Sequence, residues 1–239
     1  MNLPKKLFPK VAVFVARRIG QDSFRGLPLT IIILLSALLI FTFLGIIEDI
    51  LTSDPIVQID KYIAFFLLDH RTGYLTQFFL SVTLLGKGVV VGIFGVLFSL
   101  YLLLRKDLLY IIPLIVTLSG AGLSTSIIKT LVHRDRPGTD IAYYIEKTLS
   151  FPSGHAAISV AFYGFLAYYF IRKAIRWNKK VGIFFIALFV ISSIGLSRLY
   201  LGVHYFSDVV GGYIVGVLWL LIGITITESL RFRFKEVSK

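Results

Sequence analysis

The sequence predicts an all-α, polytopic membrane protein: a six-transmembrane-helix bundle with an N-terminal amphipathic helix. Three observations carry that prediction. The 239-residue chain is 56% hydrophobic and only 16% charged, with a mean hydropathy of +0.85, more apolar material than one soluble core can hide. The apolar residues gather in six long runs separated by short polar segments. The net charge is nevertheless +12, from 25 Lys+Arg against 13 Asp+Glu, and the cations are divided unequally between the segments. A basic protein that binds nucleic acid in solution would be poor in apolar residues, so no nucleic-acid partner is expected; the partner is the bilayer. There is no Cys, which excludes a disulfide framework, a thiol nucleophile and a Cys-ligated metal.

In chain order, residues Leu3 to Ile19 mix Lys and Arg with Val, Phe and Ile, the pattern of a basic amphipathic helix on an anionic leaflet or of a solvated basic tail. The first full-length run, Pro28 to Ile47, is preceded by about 27 residues and followed by no A-x-A-like site, so it is expected to stay as an anchor rather than be cleaved. The other runs are Phe78 to Leu104, Leu108 to Leu131, Pro152 to Ile171, Val181 to Tyr200 and Asp208 to Thr227. About 20 residues at 1.5 Å rise cover the ~30 Å hydrocarbon core, and the longer second run would tilt or extend beyond it. The whole chain, 1–239, reads as one domain: a basic segment over 1–27, a six-helix core over 28–227 and a tail over 228–239.

Six spans put both termini on one side, and the positive-inside rule chooses it. Seventeen cations lie in the N-terminal segment, the second-to-third turn, the fourth-to-fifth loop and the tail, and eight lie on the other side. The termini are therefore expected in the cytoplasm of a cell with this chain in its inner or plasma membrane. All four histidines then face outward.

Ionisable residues at the ends of spans are costly, and clusters of them are candidate sites. Three clusters fall on the outer side: Lys129 to Arg136 and Pro137 after the third run, Pro152-Ser153-Gly154-His155 opening the fourth, and Ser197-Arg198 with His204 and Asp208 between the fifth and sixth. Lys129, Arg136 and Arg198 are cations, and the Arg fork matches a phosphate bidentately. Pro152 suits a first helical turn, leaving the N–H groups of Ser153, Gly154 and His155 at the positive end of a helix dipole. His204 and Asp208 stand at i, i+4, so they share a face if the last helix starts early enough. A carboxylate on one ring nitrogen fixes the tautomer and frees the other to attack, which makes His204 the candidate nucleophile. His155 is then the natural proton donor to a departing oxygen.

These motifs, Lys-x6-Arg-Pro, Pro-Ser-Gly-His and Ser-Arg-x5-His-x3-Asp, resemble those of the type 2 phosphatidic acid phosphatase (PAP2) superfamily. The resemblance covers Lys129 to Asp208, with every motif position matched. It implies a six-helix membrane bundle, a phosphohistidine intermediate and no required metal or cofactor. By motif position it makes His204 nucleophile, Asp208 its orienting partner and His155 acid, with Lys129, Arg136, Ser153, Gly154 and Arg198 around the phosphate. The function expected is hydrolysis of a lipid phosphate or diphosphate at the outer leaflet; phosphatidylglycerol phosphate, phosphatidic acid and undecaprenyl diphosphate are all compatible. A lipid phosphotransferase, a vanadium-haloperoxidase-like enzyme and a non-catalytic lipid-binding or transport protein are the alternatives. Oligomeric state is not legible.

Other polar residues have plainer readings. His70 and His133 belong to no motif, Arg134 and Asp135 suggest a local ion pair or solvent exposure, and Lys87 suggests a snorkelling or helix-contact residue. Gly120, Gly122, Ser124 and Ser126, with Gly211, Gly212 and Gly216, suggest close helix packing.

Overall fold

The computed structural model describes residues 26–52 and 55–237, and the expected amphipathic segment at Leu3 to Ile19 lies outside them. The described chain is all-helical: α1 (Leu27–Thr52), α2 (Pro55–Asp69), α3 (Gly73–Leu84), α4 (Gly88–Leu104), a 3₁₀ turn (Leu108–Tyr110), α5 (Ile111–Val132), α6 (Gly154–Lys173), α7 (Trp177–Tyr200) and α8 (Phe206–Val237). Among the described residues five helices are long and apolar enough to cross a membrane, and there are six spans if the bent pair α3–α4 counts as one. The protein is a multi-pass membrane protein.

Burial ranks the helices. Half of the apolar window of α6 is buried, against 11% of that of α1, so α6 is the axis and α1 a peripheral, lipid-facing helix. The sequence of α6 explains its place: Ala156, Ala157, Ser159 and Ala161 are small and buried, which lets neighbouring backbones approach. On α8, a Cβ at Gly212 would strike the Ser153 carbonyl and one at Gly216 the Ala157 carbonyl. The close-packing reading of Gly211, Gly212 and Gly216 therefore holds. It holds only in part for α5. Gly120 is covered by the Trp219 ring and Ser124 Oγ accepts from Trp219 Nε1 at 2.9 Å, but nothing lies within 4 Å of a Cβ at Gly122, and Ser126 is exposed with its hydroxyl turned back to Gly122 O.

Three features depart from the sequence expectation. The second run is not one helix: α3 and α4 meet at a 48° bend. The last turn of α3 tightens, Leu85, Gly86 and Lys87 donating to carbonyls three residues back, and Gly86 sits so near Ile194 and His155 that a side chain there would collide with Ile194. A second helix, α2, occupies the segment between the first two runs; its buried residues Asp60 and Ala64 are one turn apart, an inward face. The final helix continues past Thr227 to Val237, so most of the expected tail is helical. Glu228 accepts there from Tyr168 Oη at 2.7 Å and Arg231 donates to Tyr110 Oη at 2.9 Å.

Chain direction decides where the polar residues go. Helices α5 and α7 run toward one end of the bundle and α6 and α8 run away from it, so the C-termini of the first pair and the N-termini of the second converge. The loop 133–153 covers that end, tied down by Ser150 N–H to Arg134 O and Tyr143 N–H to Leu201 O, both 2.9 Å.

Candidate active site

The last turn of α7 delivers Arg198, fully buried at 0% exposure. The helix stops at Leu201, and Gly202 follows at φ +66°, the left-handed conformation that favours glycine. The Val203 N–H returns to Arg198 O at 3.2 Å, which reverses the chain and lays His204 over the end of the helix.

His204 lies before the first residue of α8 rather than on it, because α8 begins at Phe206. The expected shared helical face is thus a turn instead, and the contact survives: Nδ1 is 3.3 Å from Asp208 Oδ2. Arg136 Nη1 stands 3.1 Å from His204 Nε2. A guanidinium can only donate, so Nε2 carries the lone pair and Nδ1 the proton that Asp208 accepts. Burial, then the charges of Arg198, Arg136 and Lys129, push the His204 imidazole well below its ordinary pKa. It is therefore neutral at pH 7.

Ser153 caps α6, its hydroxyl accepting from Ala156 N–H, and its own N–H donates to Asp208 O at 2.9 Å. This corrects the expectation that Ser153 N–H is free and that Pro152 sits in the first turn: the helix starts two residues after Pro152, and Ser153 N–H joins α6 to α8. Gly154 and His155 remain in the first turn, where N–H groups lack an intrahelical acceptor. The Gly86 bend packs beside the His155 ring.

The two motif arginines converge on a carboxylate that the motifs do not contain. Glu146 Oε2 takes a 2.7 Å ion pair from Arg136 Nη2, and its Oε1 accepts from Arg198 Nη2. Arg198 Nη1 also donates to Thr83 Oγ1 at 2.9 Å and Tyr144 Oη at 2.6 Å, while its Nε is the one buried side-chain N or O without a partner among the described residues. Burial alone would raise the Glu146 pKa, but Arg198, by charge and hydrogen bond, and Arg136 hold it at about 2. Lys129 Nζ donates to Leu149 O and to Ser150 O.

Arg134 is neither solvent-exposed nor paired with its neighbour Asp135, a correction to the sequence reading. It donates to Asp208 Oδ1 at 2.7 Å and to Asp60 Oδ2 at 2.6 Å. His70 is exposed and turned to Phe66 O, His133 caps α5 in a left-handed conformation, and Lys87 lies exposed at the α3–α4 bend. Among the described residues no group of three His, Asp or Glu could hold a metal ion.

Sequence reasoning missed Thr83, Tyr144, Glu146 and Asp60. One signal pointed to the carboxylates: cations buried at a membrane boundary need counter-charges, and most of the 13 acidic residues fall in the segments read as outward.

Comparison with known proteins bears on the family and the fold. The PAP2 superfamily profile matches residues 110–231. Phosphatidylglycerophosphatase B of Bacillus subtilis (strain 168) is 33% identical over 116 residues, 48% of this chain and 56% of that protein, so the match spans little more than half of the relative's length. The crystal structure of a transmembrane PAP2-type phosphatidylglycerolphosphate phosphatase from Bacillus subtilis superposes with a TM-score of 0.75 at 25% identity, covering 81% of this chain and 96% of the other. The crystal structure of Aquifex aeolicus LpxE shares the fold, with a TM-score of 0.55 at 23% identity, covering 70% and 95%.

Proposed function

The chain belongs to the PAP2 superfamily, and from that premise we propose that it is a membrane lipid phosphatase acting at the outer leaflet through a phosphohistidine. One observation carries the reading: two arginine forks, Arg136 and Arg198, grip the two oxygens of one carboxylate beside a histidine whose lone pair faces Arg136. A carboxylate so held marks the space of a planar pair of phosphate oxygens. The unpartnered Arg198 Nε offers a further donor.

In the proposed reaction the substrate phosphate takes over the arginine contacts made by Glu146. Lys129, Arg136 and Arg198, with the first-turn N–H groups of Gly154 and His155, stabilise its equatorial oxygens. His204 Nε2 attacks phosphorus in line; the P–O bond to the lipid breaks as the P–N bond forms, and His155 gives the departing oxygen its proton. Asp208 stabilises the positive imidazolium. Water then attacks phosphorus, His155 takes its proton, and the P–N bond breaks to return neutral His204 and inorganic phosphate.

The substrate is a lipid for a positional reason. A site at the membrane boundary binds a headgroup while the chains remain in hydrocarbon. The two Bacillus subtilis proteins act, by their names, on phosphatidylglycerol phosphate, which makes that monoester the first candidate. Phosphatidic acid and undecaprenyl diphosphate present the same terminal phosphate. The outer-face assignment is supported by the basic residues gathered at the opposite end, Arg105, Lys106, Arg172, Lys173 and Arg176 among them. Phosphate release by purified protein in EDTA, over a panel of lipid phosphates and diphosphates, tests activity, metal independence and substrate together. No release from any of them would refute the proposal, and transfer to an added alcohol instead of water would identify a phosphotransferase.

A further inference from the structure

We propose that Asp60 and Arg134, neither of them in the three motifs, are a charge-balanced pair of positioning residues that sets how much of the Asp208 charge reaches His204. The inference rests on the reading of His204 as nucleophile.

The observations are a closed, buried network. Asp60 is 0% exposed on α2, an element that the three motifs do not include. Its Oδ1 accepts from Ser207 N–H at 2.9 Å, and its Oδ2 accepts from Ser207 Oγ and from Arg134 Nη2. Arg134 Nη1 donates to Ser207 Oγ and to Asp208 Oδ1, both at 2.7 Å. Its guanidinium lies over the Tyr205 ring, 4.5 Å from the centroid. The other Asp208 oxygen, Oδ2, faces His204 Nδ1 and accepts from Tyr205 N–H at 2.8 Å. The carboxylate is thus shared, one oxygen to Arg134 and one to the imidazole.

Charge counting shows what Asp60 adds. Arg134 alone would neutralise Asp208 and leave little negative charge to stabilise the phosphoimidazolium. With Asp60 on its other side, Arg134 is already balanced, so Arg134 can orient Asp208 by a hydrogen bond without cancelling it. In a buried site such a residual charge is weakly screened. A purely structural anchor for α2 needs no such balance.

The other charged groups that bear on His204 are Lys129 from α5, Arg198 from α7, and Arg136 and Glu146 from the loop 133–153. All are left unaltered in the test, so shifts relative to the wild type report on the pair.

The test compares Asp60→Asn with the double variant Asp60→Asn/Arg134→Gln. The first leaves Arg134 unopposed and the second restores neutrality. In Asp60→Asn the acidic limb of kcat/KM should move down by about one pH unit, because added positive charge disfavours protonated His204, and kcat should fall by about 10- to 100-fold. In the double variant the limb should return to within about 0.3 unit of wild type while kcat stays low, and the double variant should melt above the single one. The substrate is short-chain phosphatidic acid in detergent. The pKa of His204 is followed in parallel by NMR of ¹⁵N-histidine-labelled protein, with the signal assigned by His204→Gln. That readout needs no turnover, so it still tests the pair if wild type hydrolyses no lipid, a result that would count against the proposed function instead. A His204 pKa unmoved by Asp60→Asn overturns the proposal, as does a double variant whose limb is displaced further than that of the single one. An Asp60→Asn protein that does not fold beside a folded double variant supports it; the reverse overturns it.

Discussion

The two ends of the helix bundle use the same ion-pair chemistry under opposite conditions. At one end Arg198 is 0% exposed, the Arg134 side chain 9% and the Arg136 side chain 11%, each held on a carboxylate. At the other, Lys173 pairs with Asp107 at 2.6 Å and Arg172 with Glu228 at 3.0 Å, but these cations are 48% and 43% exposed. An exposed pair gains little because water already solvates both charges. A buried pair loses that solvation and persists only where hydrogen bonds compensate it. The difference teaches that the far end is a basic face fastened by weak contacts, whereas the site end holds its cations out of water on fixed carboxylates, the state that the proposed function requires of an anion site.

The sharpest way to break that contrast is to remove the proposed nucleophile. His204→Ala is expected to lower phosphate release by a factor on the order of 10⁴ or more, for monoesters and diphosphates alike, as measured on purified protein. His155→Ala should separate the two substrates. A monoester expels a poor alkoxide that needs the acid, so its turnover should fall roughly 10³-fold, while a diphosphate expels phosphate and should lose about tenfold or less. Equal losses would remove the assignment of His155 as acid. Arg198→Lys keeps the charge but not the fork that reaches Glu146, Tyr144 and Thr83, and should cost about 10²-fold in kcat/KM.

The contrast can also be sharpened by pH. The folded pKa of Glu146, about 2 against an ordinary 4.5, is lowered, so its contribution to stability is complete above pH 4.5 and lost as pH falls toward 2. Melting temperatures between pH 6 and 3 should therefore fall more steeply for wild type than for Glu146→Gln. For His204 the lowered pKa places the acidic limb of kcat/KM below pH 6.5. At the far end the smallest effect is expected: Arg172→Ala should change stability by no more than about 0.5 kcal/mol and leave kcat unaltered, read by thermal unfolding and the same phosphate assay.

Much of the fold and of the candidate site was legible in advance because the relevant signals are local. Apolar runs marked α1, α5, α6 and α7 and the start of α8 within a few residues, since a span must be apolar along its own length. Lys129, Arg136, Ser153, Gly154, His155, Arg198, His204 and Asp208 were found by type and spacing, and chain direction brings them to one end. The break at Gly86 was not legible, because it answers to Ile194 and His155, far away in sequence. Nor were the counter-charges. Glu146 meets Arg198 across 52 residues, Thr83 meets it across 115, and Asp60 reaches Ser207 across 147. No periodicity predicts such partners.

By itself, then, the sequence determined that the chain crosses a membrane, where its cations are concentrated and which residue types gather between the spans as candidates for a phosphate site. Hydropathy and motif spacing are properties of short stretches, and they survive without knowledge of neighbours. Only the tertiary structure decided that Glu146 lies between the two arginine forks, that Arg134 turns inward to Asp208, and that α2 contributes Asp60 behind them. Burial strips these charges of water, and which opposite charge replaces that water depends on how distant segments close over the end of the bundle.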